Sequence, residues 1–186
     1  MKHIPESTLR AGRLFESEFE RQAHNRGIHV VRHCDQLGVM GTKAPIVTGR
    51  FAGFRLPDFS LIPPGGGMFW AEAKRKTKPT YTVTCGTYDH GIDLPNWRDY
   101  LAVASMSRQR GFLIIGEAST GKILIASFER LEGCARKWKG ACEAFPDGAV
   151  FWRREDFQVW GKFNVTSGQL SFDFGFAAPG NVRASA

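Results

Sequence analysis

The chain has 186 residues, of which 42% are hydrophobic and 23% are charged, and its formal net charge is +7. That length suits one domain with a single core, and no apolar run approaches the roughly 20 residues that cross a bilayer, which excludes a membrane-spanning protein. The excess of lysine and arginine favours a polyanionic partner, because clustered basic side chains displace the counterions condensed on phosphates.

The amino-terminal residues 1–6 contain no apolar stretch of the kind found in secretory signals, so we expect the chain in the cytoplasm. The cysteines lie far apart without any Cys-x-x-Cys pair, which predicts free thiols rather than zinc ligands or a disulfide framework. They are Cys34, Cys85, Cys134 and Cys142.

A first amphipathic helix is predicted over residues 11–26. Its apolar residues Phe15, Phe19 and Ala23 recur at every fourth position, which marks one buried stripe. Gly27 is expected to end the helix, because glycine readily adopts the left-handed conformation found after helix ends.

A hairpin is predicted downstream of a first strand at residues 28–33. A glycine-rich irregular stretch, residues 38–53, leads to a second strand at residues 56–62. The Pro-Pro-Gly-Gly-Gly sequence of residues 63–67 must form a turn, because proline lacks a donor and glycine in a strand costs conformational entropy. Residues 68–74 then form a third strand, which pairs with the second.

A second helix is predicted over residues 95–110, with proline in its first turn. One face of this helix carries Trp97, Tyr100, Leu101 and Ala104. Residues 88–93, just before it, are expected to be a loop. Within that loop, His90 and Asp93 form either a ligand or acid/base pair or, as we favour, an exposed histidine and a helix cap.

The remaining elements are short. Aliphatic runs at residues 112–116 and 123–128 surround a turn and predict two more strands. Helix spacing follows at Leu131, Cys134, Ala135 and Trp138, and strand-like runs occur at residues 150–152, 159–165 and 169–174. We expect one domain over residues 1–174 and a loose tail of small residues at 175–186. The order of elements indicates a mixed α/β fold.

The third strand carries the residues that suggest chemistry. Alternation places Glu72 and Lys74 on one face and Ala71 and Ala73 on the other, so the small residues pack on a helix and the charged face opens to a cleft. A hairpin register that sets Asp58 opposite Glu72 brings two carboxylates together. Two such like charges repel, and a bound divalent cation relieves the repulsion.

Two carboxylates and a substrate phosphate are typical of a Mg²⁺ site, because this ion takes few protein ligands and keeps several waters. The bound ion lowers the pKa of a water and stabilises charge on phosphorus. Lys74 adds a cation that can hold and help deprotonate the attacking water or neutralise the phosphate.

Pro57-Asp58, thirteen intervening residues and Glu72-Ala73-Lys74 resemble the motif of the PD-(D/E)XK nuclease superfamily. The opening Gly12-Arg13-Leu14-Phe15-Glu16, followed by a strand after Gly27, is similar to its Holliday junction resolvase branch and to related phage and restriction nucleases. The resemblance covers residues 12–128. It implies a restriction-endonuclease-like fold, a mixed sheet of about five strands flanked by helices.

The resemblance also implies site residues. The metal ligands would be Asp58, Glu72 and Glu16, with Glu20 as the alternative one helical turn later. Lys74 would complete the catalytic set. Some family members use a polar residue on the second helix, but no such role can be transferred to the residues found there.

The function implied is cleavage of DNA phosphodiesters with Mg²⁺ or Mn²⁺, selective for branched or junction DNA, in a bacterial or phage-infected cell and with a homodimer as a possible assembly. One alternative is a single-strand or flap-type nuclease that uses the same site. Another is a catalytically idle DNA-binding accessory protein with a nuclease-like fold.

Basic and aromatic residues near this motif are candidates for contact with DNA. The basic run predicts phosphate contacts through Arg75, Lys76 and Lys78, with Arg55 as a weaker candidate. Aromatic residues either stack on splayed bases or fill the core, and we favour the core for most of them. These aromatic residues are Trp70, Trp97, Tyr81 and Tyr88.

Residues 169–174, from Gln169 to Phe174, are similar to the short peptides by which bacterial replication and repair proteins bind the sliding clamp. The alternative is a terminal β-strand, since Leu170, Phe172 and Phe174 alternate, and we favour the strand.

Overall fold

The computed structural model describes residues 6–33, 46–48, 53–82, 85–140 and 145–163. In these ranges the helices are α1 (Glu6–His24), α2 (Leu94–Ser107) and α3 (Phe128–Cys134), and a 3-10 turn covers Arg154–Asp156. The strands are β1 (His29–Arg32), β2 (Ile46–Thr48), β3 (Gly53–Arg55), β4 (Phe59–Ile62), β5 (Phe69–Lys76), β6 (Thr80–Thr82), β7 (Thr87–Asp93), β8 (Arg110–Glu117), β9 (Lys122–Ser127), β10 (Arg136–Trp138), β11 (Ala149–Arg153) and β12 (Gln158–Lys162).

A central sheet has the strand order β1-β4-β5-β8-β9-β12. Its strands pair antiparallel except β5 and β8, which are parallel and are connected through β6, β7 and α2. A second sheet has the order β10-β11-β7-β6, and β2 pairs with β3. The predicted mixed α/β class is confirmed, with six central strands among the described residues where about five were expected.

Helix α1 covers one face of the central sheet. Its predicted stripe is buried, with Phe15, Phe19 and Ala23 exposed by 2% or less, and these residues pack against Ala71 and Ala73 of β5. The helix begins at Glu6, five residues before the predicted start, and ends at His24, two residues before the predicted end. Gly27 follows it with a φ of +72°, the left-handed conformation expected there.

The other face of the central sheet is covered by α2, α3 and the second sheet. Strand β8 lies in the middle and is apolar on both faces. Leu113 and Ile115 belong to the core on the α2 side, whereas Ile114 belongs to the core on the α1 side, and all three are 0% exposed. A strand buried on both faces needs such a continuous apolar run.

The hairpin of β4 and β5 has the predicted register. Phe59 pairs with Ala71, so the same register continued by one residue sets Asp58 opposite Glu72. The strand begins at Phe59 rather than Leu56, since Pro57 has no N–H to donate to a ladder.

The predicted loop at residues 88–93 is instead part of strand β7. Asp89, buried, pairs with Arg136, and His90 is 2% exposed, so the expectation of an exposed histidine was wrong. Asp93 stands at the N-cap position of α2 but makes no side-chain capping hydrogen bond. The sequence pattern did not indicate this strand, because its polar residues suggest a loop and the residues that pair with them inside the fold lie far away in the sequence.

The predicted helix around Leu131 is shorter than its spacing indicates. It ends at Cys134, because Ala135 is extended with φ −64° and ψ 127°, and the next three residues pair with β11 as strand β10. Trp138 therefore lies on a strand. Cys134 is a free thiol, as predicted.

Several predictions concern residues outside the described ranges: most of the irregular stretch 38–53, the segment from Gln169 to Phe174, and the tail at 175–186. Within the described ranges, no helix is both long enough and apolar enough to span a membrane.

Gly116 of β8 allows the close approach of α1. A Cβ atom there would lie 2.3 Å from the Phe15 ring, which also packs on Phe163. Gly116→Ala should therefore lower the free energy of unfolding by about 1–3 kcal/mol through overpacking, measured by urea denaturation.

Gly12→Ala is the matched control, because nothing lies within 4 Å of a Cβ at this helical position. It should raise the stability by about 0.5–1 kcal/mol. A Gly116→Ala protein as stable as the wild type would show that α1 does not pack tightly on β8.

Candidate active site

Two carboxylates meet where β4 and β5 begin to separate. The backbone N–H of Asp58 donates to Glu72 Oε2 at 3.1 Å, and the backbone N–H of Ala73 donates to Asp58 Oδ2 at 3.0 Å. Each carboxylate thus accepts a hydrogen bond from the backbone of the opposite strand. This reciprocal bonding holds both side chains in place without help from solvent.

Glu72 lies at the buried end of the site and Lys74 lies at its solvent-exposed end. Glu72 is 0% exposed and Asp58 is 9% exposed, whereas the Lys74 side chain is 34% exposed. Lys74 Nζ forms an ion pair with Glu72 Oε1. The expectation that the charged face of β5 opens to a cleft therefore holds for Lys74 but not for Glu72, which α2 covers.

Tyr100 of α2 belongs to this site, although sequence reasoning assigned it only to the apolar face of the helix. Its hydroxyl donates to Glu72 Oε1 at 2.6 Å, and the residue is 1% exposed. A buried tyrosine hydroxyl needs a partner, so a tyrosine facing a sheet that carries buried charge was the available signal.

Glu16 approaches the site from α1, in the opposite layer. Burial, followed by the charge of Asp58, raises the pKa of Glu16, while Arg32 acts in the other direction. Arg32 donates to Glu20 at 2.6 Å but contacts Glu16 only at 3.4 Å. Glu20 is therefore held by Arg32, and Glu16 is the carboxylate that faces Asp58.

The electrostatics of the site are dominated by burial. Burial and the charge of Asp58 raise the pKa of Glu72 to about 7, although Lys74 and the Tyr100 hydroxyl favour the ionised form. The pKa of Lys74 is raised well above its usual value, because Glu72, Tyr100 and Asp58 together outweigh the opposing effect of burial. Lys74 is thus held protonated by the negative charges around it, and Glu72 ionises near neutral pH.

The donor set fits a hard divalent cation. Asp58, Glu72 and Glu16 offer only carboxylate oxygens. Burial first, and the charge of Asp58 second, raise the pKa of both glutamates, and a bound cation would favour their ionised forms. Within the described part of the chain, no three acidic, histidine or cysteine side chains are already gathered as a complete metal site. A Mg²⁺ site built from two carboxylates is completed by water and substrate phosphate.

His33 supports the backbone of the Pro57-Asp58 pair. Its Nδ1 lies 2.9 Å from the Pro57 carbonyl, and its backbone N–H donates to the Asp58 carbonyl at 2.9 Å. A carbonyl only accepts, so Nδ1 carries the proton. Nε2 lies 2.9 Å from the Ser60 hydroxyl. His33 thereby fixes the segment that carries the first carboxylate.

The four predicted DNA-contacting residues do not share one surface. Lys76 follows Lys74 on the same face of β5, whereas Arg75 lies on the α1 face, and Lys78 is exposed beyond the strand. Arg55 donates to Asn96 Oδ1 at 2.7 Å at the start of α2. Of the four, Lys76 lies next to the site.

His90 and Glu117 form a separate buried cluster. His90 Nε2 lies 3.0 Å from Glu117 Oε2, and Arg154 and Thr120 donate to the same carboxylate. Although burial opposes ionisation, these bonds lower the pKa of Glu117 to about 2. Asp93 lies three residues from His90 on β7, hence on the opposite strand face, so these two do not form an acid/base pair.

No protein-family model matches the chain, and no curated protein matches it. Among solved structures it is similar to Hjc, a Holliday junction resolvase from the archaeal hyperthermophile Archaeoglobus fulgidus, with a TM-score of 0.49 and 12% identity over 78% of this chain and 91% of that chain. It is also similar to D212, a nuclease from a fusselovirus, with a TM-score of 0.40 and 11% identity over 86% of this chain and 90% of that chain. Likeness at this distance does not assign an activity.

Glu72 should make stability depend on pH. Its folded pKa of about 7 exceeds its usual value of 4.5, so the folded chain holds a proton that the unfolded chain has lost between these pH values. Its contribution is fully present below pH 4.5 and is lost as the pH rises toward 7. Glu72→Gln should flatten this decline, measured by urea denaturation across the window.

The control is Glu155→Gln, since the Glu155 side chain is 71% exposed. This variant should follow the wild-type curve. If Glu72→Gln also follows it, Glu72 is ionised throughout the window, and burial and the charge of Asp58 do not raise its pKa.

Proposed function

We propose that this chain is a divalent-metal-dependent endonuclease that hydrolyses DNA phosphodiesters and prefers branched or junction DNA. One observation carries the proposal: Asp58 and Glu72 are locked together by reciprocal backbone hydrogen bonds, with Lys74 paired to Glu72 at the solvent side. Two carboxylates and a lysine in this arrangement match what phosphodiester hydrolysis requires.

The metal ligands would be Asp58, Glu72 and Glu16, and the ion would be Mg²⁺ or Mn²⁺. When bound, such an ion lowers the pKa of a water and stabilises negative charge on the phosphoryl oxygens. Tyr100 orients Glu72 through its hydroxyl and favours the ionised carboxylate. His33 holds Asp58 through the backbone.

Lys74 acts as a fixed positive charge in this proposal. Its raised pKa keeps the amine protonated, which favours neutralising the phosphate or donating to it over deprotonating a water. Its ion pair with Glu72 positions the amine before substrate arrives, so no reorganisation is needed when charge develops.

The rival class is an idle DNA-binding protein with the same fold. It draws support from Glu72, which is wholly buried and already neutralised by Lys74, as in a site that has no further cation to bind. Metal-dependent cleavage separates the two classes.

The extent and assembly of the nuclease are also proposals. We propose one nuclease domain over residues 1–174, with a homodimer as its assembly. Residues 169–174, which would carry a sliding-clamp contact, lie outside the described ranges, and we do not propose this contact.

Asp58→Asn should abolish cleavage while DNA binding survives. Asparagine keeps the shape and the acceptor for the Ala73 N–H but removes the charge that binds metal. We expect a loss of roughly 100-fold or more in turnover, since a bound ion supplies several kcal/mol. The assay uses labelled four-way junction, flap, single-stranded and duplex DNA with Mg²⁺, Mn²⁺ or EDTA.

Glu155→Gln, at an exposed carboxylate, should cleave like the wild type. If the wild-type protein binds DNA but cleaves it with neither metal, the chain is the catalytically idle DNA-binding protein and the proposed nuclease activity is wrong. Cleavage that persists in EDTA would refute the metal site.

Lys74→Met should lower kcat/KM by about 30- to 1000-fold, which corresponds to the 2–4 kcal/mol lost with one electrostatic contact to a reacting oxygen. Methionine keeps the length of the side chain and removes the charge. Lys139→Met, at an exposed lysine outside the site, is the control. Turnover within twofold of the wild type for Lys74→Met would remove this lysine from the mechanism.

A further inference from the structure

An exposed pair of tyrosines lies at the edge of the second sheet. Tyr81 of β6 and Tyr88 of β7 are register partners, with ring centroids 5.2 Å apart and an angle of 56° between the rings. Their exposed fractions are 52% and 59%. A cross-strand contact uses one side of each ring, so about half of each ring surface stays available to another flat group.

The tyrosine pair lies beyond the carboxyl end of β5, in the layer that also faces Lys74. Tyr88 shares a face of β7 with His90 and lies two residues further along, about 6.6 Å away. His90 contacts Glu117 at 3.0 Å, and Glu117 is the register partner of Lys76. The tyrosine pair therefore lies on the side of the central sheet that Lys74 and Lys76 face, two residues along β7 from the contact between His90 and Glu117.

Among the described residues, no carboxylate pairs with Lys76 at ion-pair distance, and the charge of Asp93 attracts it from further away. Its neighbours are paired: Lys74 with Glu72, and Arg154 with Glu117. Within the described ranges, no acceptor lies within hydrogen-bond or ion-pair distance of the Lys76 amine. Burial and the charge of Lys74 lower the pKa of Lys76 to about 8, and Asp93 opposes this only at longer range. A half-buried amine in this state is stabilised by an anion that arrives with a ligand.

We propose that Lys76 binds the phosphate next to the scissile one, and that Tyr81 and Tyr88 stack on an unpaired base beyond it. Lys74 and Lys76 lie about 6.6 Å apart along one strand face, so both can contact one DNA strand. A duplex keeps its bases stacked inside, which leaves the tyrosines nothing to stack on. The inference rests on the proposed function and narrows its substrate to DNA that is unpaired on one side of the cleavage site.

The test measures binding of the wild-type chain in EDTA, which requires no cleavage. The ligands are a fluorescent oligothymidylate, an abasic strand of equal length and a blunt duplex. Tyr81→Leu and Tyr88→Leu should each weaken binding of oligothymidylate about 10-fold. Binding of the abasic strand and the duplex should stay within twofold of the wild type. Tyr81→Phe and Tyr88→Phe should keep wild-type affinity, because the ring is retained.

Trp138→Leu is the aromatic control, since Trp138 is 40% exposed at the opposite edge of the same sheet. It should bind all three ligands normally. Leucine variants that lose affinity equally for thymidylate and abasic strands, or lose none, would overturn the stacking.

Lys76→Met should weaken the binding of both the oligothymidylate and the abasic strand. It should also reduce the slope of log affinity against log salt concentration by about 0.7, the value for one lost phosphate contact to a single strand. Lys139→Met should leave the slope unchanged. An unchanged slope in Lys76→Met would overturn the phosphate contact.

If a leucine variant does not fold, wild-type protein is titrated against strands with 2-aminopurine at each position, and the absence of a position-dependent change in fluorescence would overturn the stacking. A wild type that prefers thymidylate but never cleaves DNA would contradict the proposed function and leave this binding result standing.

Discussion

The register of the β4–β5 hairpin is the constraint on which the site depends. Side chains in a strand alternate between the two faces of the sheet. A shift of β5 by one residue would therefore place Glu72 and Lys74 on the face that α1 covers and would place Ala71 and Ala73 on the opposite face. Phe59, Ala71 and Ala73 prevent that slip, since all three are buried against α1. The apolar packing of the hairpin thus determines where its charges lie, and the reciprocal hydrogen bonds between Asp58 and β5 follow from the same register.

The parallel neighbour of β5 sets the environment of those charges. Strand β8 places Leu113 and Ile115 beside Glu72 and Lys74, so the carboxylate and the amine lie against an apolar wall. Glu72 is shut off from water in these surroundings, so its charge is poorly screened. This is why the pKa of Glu72 rises to about 7 and why the Tyr100 hydroxyl must satisfy one of its oxygens. Helix α2 is therefore both the last part of the connection between the parallel strands and the element that covers Glu72.

Local patterns predicted the parts of this structure that are local. Alternation in β5 and the Pro-Pro-Gly-Gly-Gly turn sufficed to place Asp58 opposite Glu72, and the four-residue spacing of Phe15, Phe19 and Ala23 identified the buried face of α1. The same alternation, applied further, would have separated Arg75 from Lys76.

Contacts between distant segments were not predictable in this way. Strand β7 was mistaken for a loop, because its polar residues are satisfied by Arg136 and Glu117, which lie 47 and 27 residues further along the chain. Tyr100 was assigned to the core because its apolar ring, not its hydroxyl, produces the helical pattern. In both cases a buried polar group has a partner that only the tertiary fold brings near.

Lys74 and Lys76 show how one strand can carry two different kinds of cation. Both side chains leave the same face of β5, and the difference between them comes from the strand beside it. Lys74 lies next to Ile115, within reach of Glu72, and its charge is therefore compensated before any substrate binds. Lys76 lies next to Glu117, but Arg154, Thr120 and His90 already occupy that carboxylate. The cluster around Glu117 thus links the two sheets, and the bonds from Arg154, Thr120 and His90 explain why Lys76 does not form an ion pair with its register partner.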